Sequence, residues 1–170
     1  LQDMLSWYHL LYFEKKPQAW LVYFLGLSHG LPYAETSDLY RRLGLPENKR
    51  GEILNQREQM RTVRGRLETW QRRQEGQAPK ISALCEVLAP LSLESLLYLM
   101  AETENEHLQK SLSRYITQWQ HEKADITGDD LKALGLPPGP LYSHILRTAL
   151  KAKLDGETQG REAQLGLARK

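Results

Sequence analysis

The sequence predicts an all-α fold, a multi-helix orthogonal array, and three observations carry that prediction. Apolar residues recur at three- and four-residue spacing almost throughout. Glycine and proline fall between these stretches, where helices stop and start. No stretch alternates with period two over the length of a strand bounded by turn signals.

Taken in order, Leu1, Met4, Leu5, Tyr8 and Tyr12 share one helix face. Pro17 can open the next helix, which Gly30 and Pro32 close. Thr36, Ser37 and Asp38 offer N-cap side chains for a short helix to Leu43, with Gly44 as its left-handed stop. Pro46 permits a long helix to about Gln74, and the residues from Gly76 to Pro79 read as a short linker. Ile81, Leu84, Val87 and Leu88 form another apolar face ended by Pro90. Ser92 is the N-cap expected for Leu93 to Ala101. Leu108, Leu112, Tyr115, Ile116 and Trp119 mark a further helix. Thr127, Leu131 and Leu134 outline a two-turn helix stopped by Gly135, and Pro140 to Leu154 a full one. The string Leu-Gly-Leu-Pro occurs at 43–46 and again at 134–137, which reads as the same helix-Gly-Pro-helix corner used twice.

Composition narrows the chemistry. The 170 residues suffice for one domain or two small helical ones, with 41% hydrophobic and 26% charged residues. A single cysteine, Cys85, excludes an internal disulfide framework and suits a reducing, cytoplasmic setting. The longest apolar run, Ala19 to Leu27, is too short to span a bilayer, so no membrane partner is expected. The chain opens at Leu1 without methionine or a leader pattern, as expected of a piece of something longer. His9, His29, His107, His121 and His144 show no ligand spacing, so no metal site is expected. The sequence contains no P-loop, dinucleotide-binding glycine pattern or nucleophile elbow, and no catalytic residue is assigned. Asp129 and Asp130 sit where a helix begins and are read as capping carboxylates.

Charge is unevenly spread. Between Lys49 and Arg73 eight cations stand against three glutamates, whereas Glu86 to Glu106 holds five glutamates and no lysine or arginine. On the long helix Ile53, Met60, Val63, Leu67 and Trp70 share one side. Arg57, Arg61, Arg64 and Arg72 fall together on its flank as a basic stripe suited to phosphate. The same stripe also reads as a solvated face, with Glu68 one turn from both Arg64 and Arg72. A second candidate is the turn before Pro140. Gly139 removes a Cβ, Pro140 fits a first helical position, and the N–H groups of Leu141, Tyr142 and Ser143 would face outward as a phosphate cradle. Lys132, Arg147 and Lys151 would add charge there; the other reading is a tight corner that packs well.

The stretch from Ile126 carries a resemblance. Ile126, Thr127, Gly128, Asp130, Leu131, Leu134, Gly135, Gly139, Pro140, Asp155, Gly156 and Glu157 match a signature reading I-T-G-x-D-L-x-x-L-G-x-x-x-G-P, then a helix, then D-G-E. This resembles the C-terminal signature of the class II tRNA nucleotidyltransferase and bacterial poly(A) polymerase family. Trp20 to Leu27, Leu43, Leu45 and Leu84 to Ala101 are similar, more diffusely, to the family's helical body. Many members have Gly where this chain has Ser143, whose side chain either bonds a phosphate or hinders its approach.

The resemblance implies a body domain over 1–122 and a tail domain over 123–170. It implies a partner, tRNA, gripped at acceptor stem, T arm and elbow, so that the 3′ end reaches a catalytic head for addition of AMP, or CMP and AMP. The family's head uses a Gly-Ser and an Asp-x-Asp, and its neck a Glu-Asp-x-x-Arg string; none of these occurs here. The expectation is therefore a fragment inactive alone, with Mg²⁺ and ATP or CTP belonging to the absent head. A helical protein-interaction scaffold and a helix-hairpin-helix type DNA-binding module are the alternatives.

Overall fold

The computed structural model describes residues 16–73 and 79–169, together with Gln2 and Ser6. The helix expected over Leu1 to Phe13 and most of the linker expected over Gly76 to Pro79 lie outside the described residues. Among the described residues the fold is all-α, with no strand. The helices are α1 (Ala19–Ser28), α2 (Tyr33–Arg42), α3 (Glu47–Arg73), α4 (Ile81–Leu88), α5 (Leu93–Glu102), α6 (Glu106–Thr117), α7 (Gly128–Ala133), α8 (Pro140–Leu154) and α9 (Arg161–Ala168), with a 3₁₀ turn at Trp119–His121.

The fold divides into two compact units, residues 16–73 with 87–116 and residues 79–86 with 117–169. In the first unit α1 packs on α5, and α3 packs on both α2 and α5. Its core is built from Val22 and Leu25 of α1, Tyr40 of α2, Ile53, Met60, Val63 and Leu67 of α3, and Leu96 to Met100 of α5. The apolar side expected for the long helix is thus the buried one at Ile53, Met60, Val63 and Leu67, while Trp70 near its end is only half-buried. Buried hydroxyls are satisfied locally: Ser28 and Tyr40 bond at 2.6 Å, and Ser28 also donates to the Phe24 carbonyl at 2.9 Å.

Two helix starts differ from expectation. Thr36, Ser37 and Asp38 are not caps, because α2 already begins at Tyr33, with Pro32 as N-cap. The fixed φ of Pro32 sets an extended residue immediately before the helix, and Thr36 then sits one turn inside, bonding back to the Pro32 carbonyl at 2.9 Å. Pro17 likewise precedes rather than opens α1; the N-cap is Gln18, whose N–H donates to the Glu94 carboxylate at 3.0 Å. Ser92 caps α5 as expected, accepting from the Ser95 N–H at 3.2 Å.

The repeated corner is a repeated hydrogen-bond pattern. At 43–46 Gly44 has φ +73°, its N–H bonds the Arg41 carbonyl and the Leu45 N–H bonds the Tyr40 carbonyl. At 134–137 Gly135 has φ +82°, with the matching bonds to Lys132 and Leu131. Both close the preceding helix with crossed bonds around a left-handed residue, a conformation glycine adopts without a Cβ penalty.

The second unit is built on Ile126, Leu131 and Ala149, with Leu134, Leu136, Tyr142, Ile145, Leu146 and Leu165 packed around them. Leu136 therefore does fold back beside Leu131. A polar network fastens α9 in place. The fully buried Gln164 accepts from the Asp125 N–H at 2.8 Å and donates to its carboxylate at 3.2 Å, while Lys153 bonds the same carboxylate at 2.7 Å. The expected boundary at 122 and the observed division after 116 enclose the 3₁₀ turn.

Candidate nucleic-acid interface

The apolar side of α3 is buried, so its cations are left on the flanks, and the structure separates them by what they touch. Arg57 is half-buried and works inside the fold. It donates to the Leu31 carbonyl, to the His29 carbonyl at 3.3 Å and to Thr36 Oγ1 at 2.5 Å, pinning the α1–α2 turn against α3. Arg64 pairs with the Glu102 carboxylate and lies 3.0 Å from His29 Nε2, which is itself 3.1 Å from Glu102. Arg61 is 81% exposed, with Glu58 3.2 Å away on the same helix. Arg72 is exposed and 3.5 Å from Glu68. The expected stripe is therefore two exposed guanidinium groups and two engaged ones.

Three of the four meet at a cleft. Arg57, Arg61 and Arg64 line a cavity of about 530 Å³ together with His29, Leu31, Pro32, Tyr33, Glu58 and Met60. Arg72, two turns beyond Arg64, is not among the lining residues. Tyr33, 56% exposed at the start of α2, was not singled out by the sequence. An isolated aromatic between Pro and Ala gives no periodic signal, and its exposure follows only from where Pro32 starts the helix.

The second candidate region is chiefly a folding device. Thr127 and Asp130 form a reciprocal capping box: Asp130 Oδ2 accepts from the Thr127 N–H at 2.7 Å, and Thr127 Oγ1 accepts from the Asp130 N–H at 3.4 Å. Arg161 clasps the other carboxylate oxygen, with Nε at 3.0 Å. The Arg161 guanidinium first, then the Thr127 N–H, hold the Asp130 carboxyl down at about 2. At the far end of the signature Gly156 closes α8 with φ +73°, repeating the corner pattern. Asp155 receives the Ser82 N–H at 2.8 Å and the Ser82 hydroxyl at 2.7 Å at the start of α4, and Glu157 pairs with Lys80 at 2.7 Å. Ser82, Arg161 and Gln164 escaped the sequence reading because their partners lie far away along the chain.

The phosphate cradle at Pro140 needs correction on two points. Gly139 has φ 171° and ψ −170°, extended backbone open to any residue, and a Cβ there would meet nothing within 4 Å. The Tyr142 N–H does not face outward unused; it bonds the Gly139 carbonyl at 3.0 Å, and the Tyr142 hydroxyl reaches the Leu136 carbonyl at 2.7 Å. Pro140 does occupy the first turn of α8. Around it Lys132, Ser143 and Arg147 are exposed, whereas Lys151 is paired with Glu86 at 2.7 Å. Ser143, Arg147 and Lys151 follow one another at one-turn intervals on α8.

The Cys85 thiol is pushed up to about 11, by burial first and then by the nearby Asp155 charge, so at neutral pH it is a protonated packing group. Among the described residues no three of His, Cys, Asp or Glu converge as metal ligands.

Comparison with known proteins supplies one relative. The chain is 35% identical over 171 aligned positions to an A-adding tRNA nucleotidyltransferase of Geobacter sulfurreducens, an alignment covering 99% of this chain and 19% of that enzyme. No family model matches the chain, and no solved structure does. The chain thus spans about a fifth of the length of the enzyme it matches, and along nearly all of its own length it is similar in sequence to that stretch of a tRNA nucleotidyltransferase.

Proposed function

We propose that this chain is the RNA-gripping part of a tRNA nucleotidyltransferase that adds AMP, or CMP and AMP, to the 3′ end of tRNA. The observation that carries the reading is the alignment along 99% of the chain with an A-adding enzyme. The exposed cations fit it: Arg61 and Arg72 on α3, each beside a glutamate of the same helix, and Lys132 and Arg147 beside the turn into α8 are accessible to phosphate. Ser143, exposed one turn before Arg147, adds a hydroxyl donor to that group. Phosphate and 2′-hydroxyl contacts to an A-form stem require no reading of bases, and positively charged helical surfaces suffice for them.

In this reading the chain holds the acceptor stem, T arm and elbow, and the parent's catalytic head holds Mg²⁺ with ATP or CTP. The setting is the cytoplasm. Two-metal phosphoryl transfer needs a carboxylate cluster, and in this reading that cluster belongs to the parent's head and not to this chain.

Competition tests the reading. Labelled tRNA bound to the chain should be displaced by unlabelled tRNA at far lower concentration than by duplex DNA carrying the same number of phosphates. Equal displacement by the DNA would overturn it in favour of a DNA-binding helical module. Absence of salt-dependent binding to either would leave a protein-interaction scaffold.

A further inference from the structure

The cleft on α3 holds a guanidinium, that of Arg57, which forms no ion pair with a carboxylate among the described residues. A guanidinium carries five N–H donors. Three of those on Arg57 go to the His29 and Leu31 carbonyls and to Thr36 Oγ1, all neutral acceptors. No carboxylate pairs with Arg57 among the described residues, and its remaining two donors meet no acceptor there. The group is thus a cation fixed from one side, half-buried, at the wall of a cavity of about 530 Å³. That volume falls within the range of about 300–1,000 Å³ usual for small-molecule sites. Arg64, by contrast, is neutralised by Glu102.

The rest of the lining adds two complementary features. Arg61 is free to swing inward, since its one ion pair, to Glu58, lies on an exposed surface where such pairs contribute little. Leu31, Pro32, Met60 and the exposed ring of Tyr33 supply an apolar side to the same cavity. A planar base with an attached phosphate is the ligand that satisfies both features, because aromatic rings stack on any base while guanidinium groups bind the phosphate.

We propose that this cleft receives a nucleoside monophosphate unit, its phosphate on Arg57 and Arg61 and its base against Tyr33. The unit is either an unpaired residue of bound RNA, which rests on the RNA-gripping reading, or a free nucleotide, which does not.

The test uses the intact chain and three probes: a fully paired RNA hairpin, the same stem with one bulged adenosine, and AMP. Tyr33→Ala and Arg61→Gln change exposed side chains, and a melting curve on each verifies the fold. The bulged hairpin should bind about tenfold more tightly than the paired one, a difference of the size expected for one base–aromatic stack. Tyr33→Ala should abolish that preference without altering affinity for the paired stem, and Arg61→Gln should weaken both hairpins. AMP binding that Tyr33→Ala removes, with no preference for the bulge, would assign the cleft to free nucleotide. If the paired hairpin binds but neither the bulge nor AMP responds to Tyr33→Ala, the proposal is overturned and the RNA-gripping reading stands. If no RNA binds, that reading fails, and the cleft stands or falls on AMP alone.

Discussion

The flank of α3 and the turn between α7 and α8 looked alike in one respect: each offered basic residues beside a feature suited to phosphate. The structure uses them differently. On α3 the cations themselves divide, Arg57 and Arg64 being engaged by the fold while Arg61 and Arg72 remain at the surface. At the α7–α8 turn the recognisable motif residues are the ones engaged, as caps, corners and clamps, while the plain cations Lys132 and Arg147 stay free. A residue that marks a family is therefore not, by that fact, a residue that touches the family's ligand. Asp130, Gly135 and Asp155, which carry the resemblance in the sequence, are each engaged in contacts that hold the fold.

If that division is right, the largest effect belongs to the motif core. Leu131 is fully buried beneath the corner, and Leu131→Ala should cost about 2–5 kcal/mol in chemical denaturation. A loss near zero would mean that the signature is not holding the second unit together. Next comes Arg57→Met, which leaves the His29 and Leu31 carbonyls and Thr36 without their shared donor and should cost about 1–3 kcal/mol. Arg61→Gln, one turn away and exposed, should leave the same denaturation curve unmoved.

A pH series separates the two regions further. The Asp130 carboxyl is held at about 2 in the folded chain by Arg161 and Thr127, against about 3.9 for an unfolded aspartate. A depressed folded value means a stabilisation fully present above the unfolded value and lost as pH falls through the folded one. Melting temperatures of the wild type and Asp130→Asn should therefore differ at pH 5 and converge toward pH 2. A gap that persists at pH 2 would show that the contribution is not the ionised clasp. The smallest effect is expected at Gly139: its extended backbone and open surroundings predict that Gly139→Ala melts with the wild type.

How much of this was legible in the sequence follows from distance along the chain. Bonds between near neighbours were legible: the Ser92 cap, the Thr127–Asp130 box, and the left-handed corners at Gly44 and Gly135, whose partners lie within one or two turns. The buried side of α3 was legible because helical periodicity alone decides which residues share a face. What opposes the flank was not. Arg57 meets a turn 26 positions away and Arg64 meets Glu102 38 positions away, so a helical projection shows them as a free stripe. Gly139 misled for another reason: composition marks where a glycine is tolerated, and only the backbone angle shows whether one is required.

The salt dependence of tRNA binding tests the central claim most directly, with the wild type compared against an Arg61→Gln, Arg147→Gln double variant. The log of the association constant should fall linearly with the log of salt concentration, and each phosphate contact should contribute about 0.7–0.9 to the slope. The two exposed arginines, one from each unit, predict a slope shallower by about 1.4–1.8 in the double variant, at an unchanged melting temperature. An unchanged slope would return both residues to the solvated surface and contradict the account.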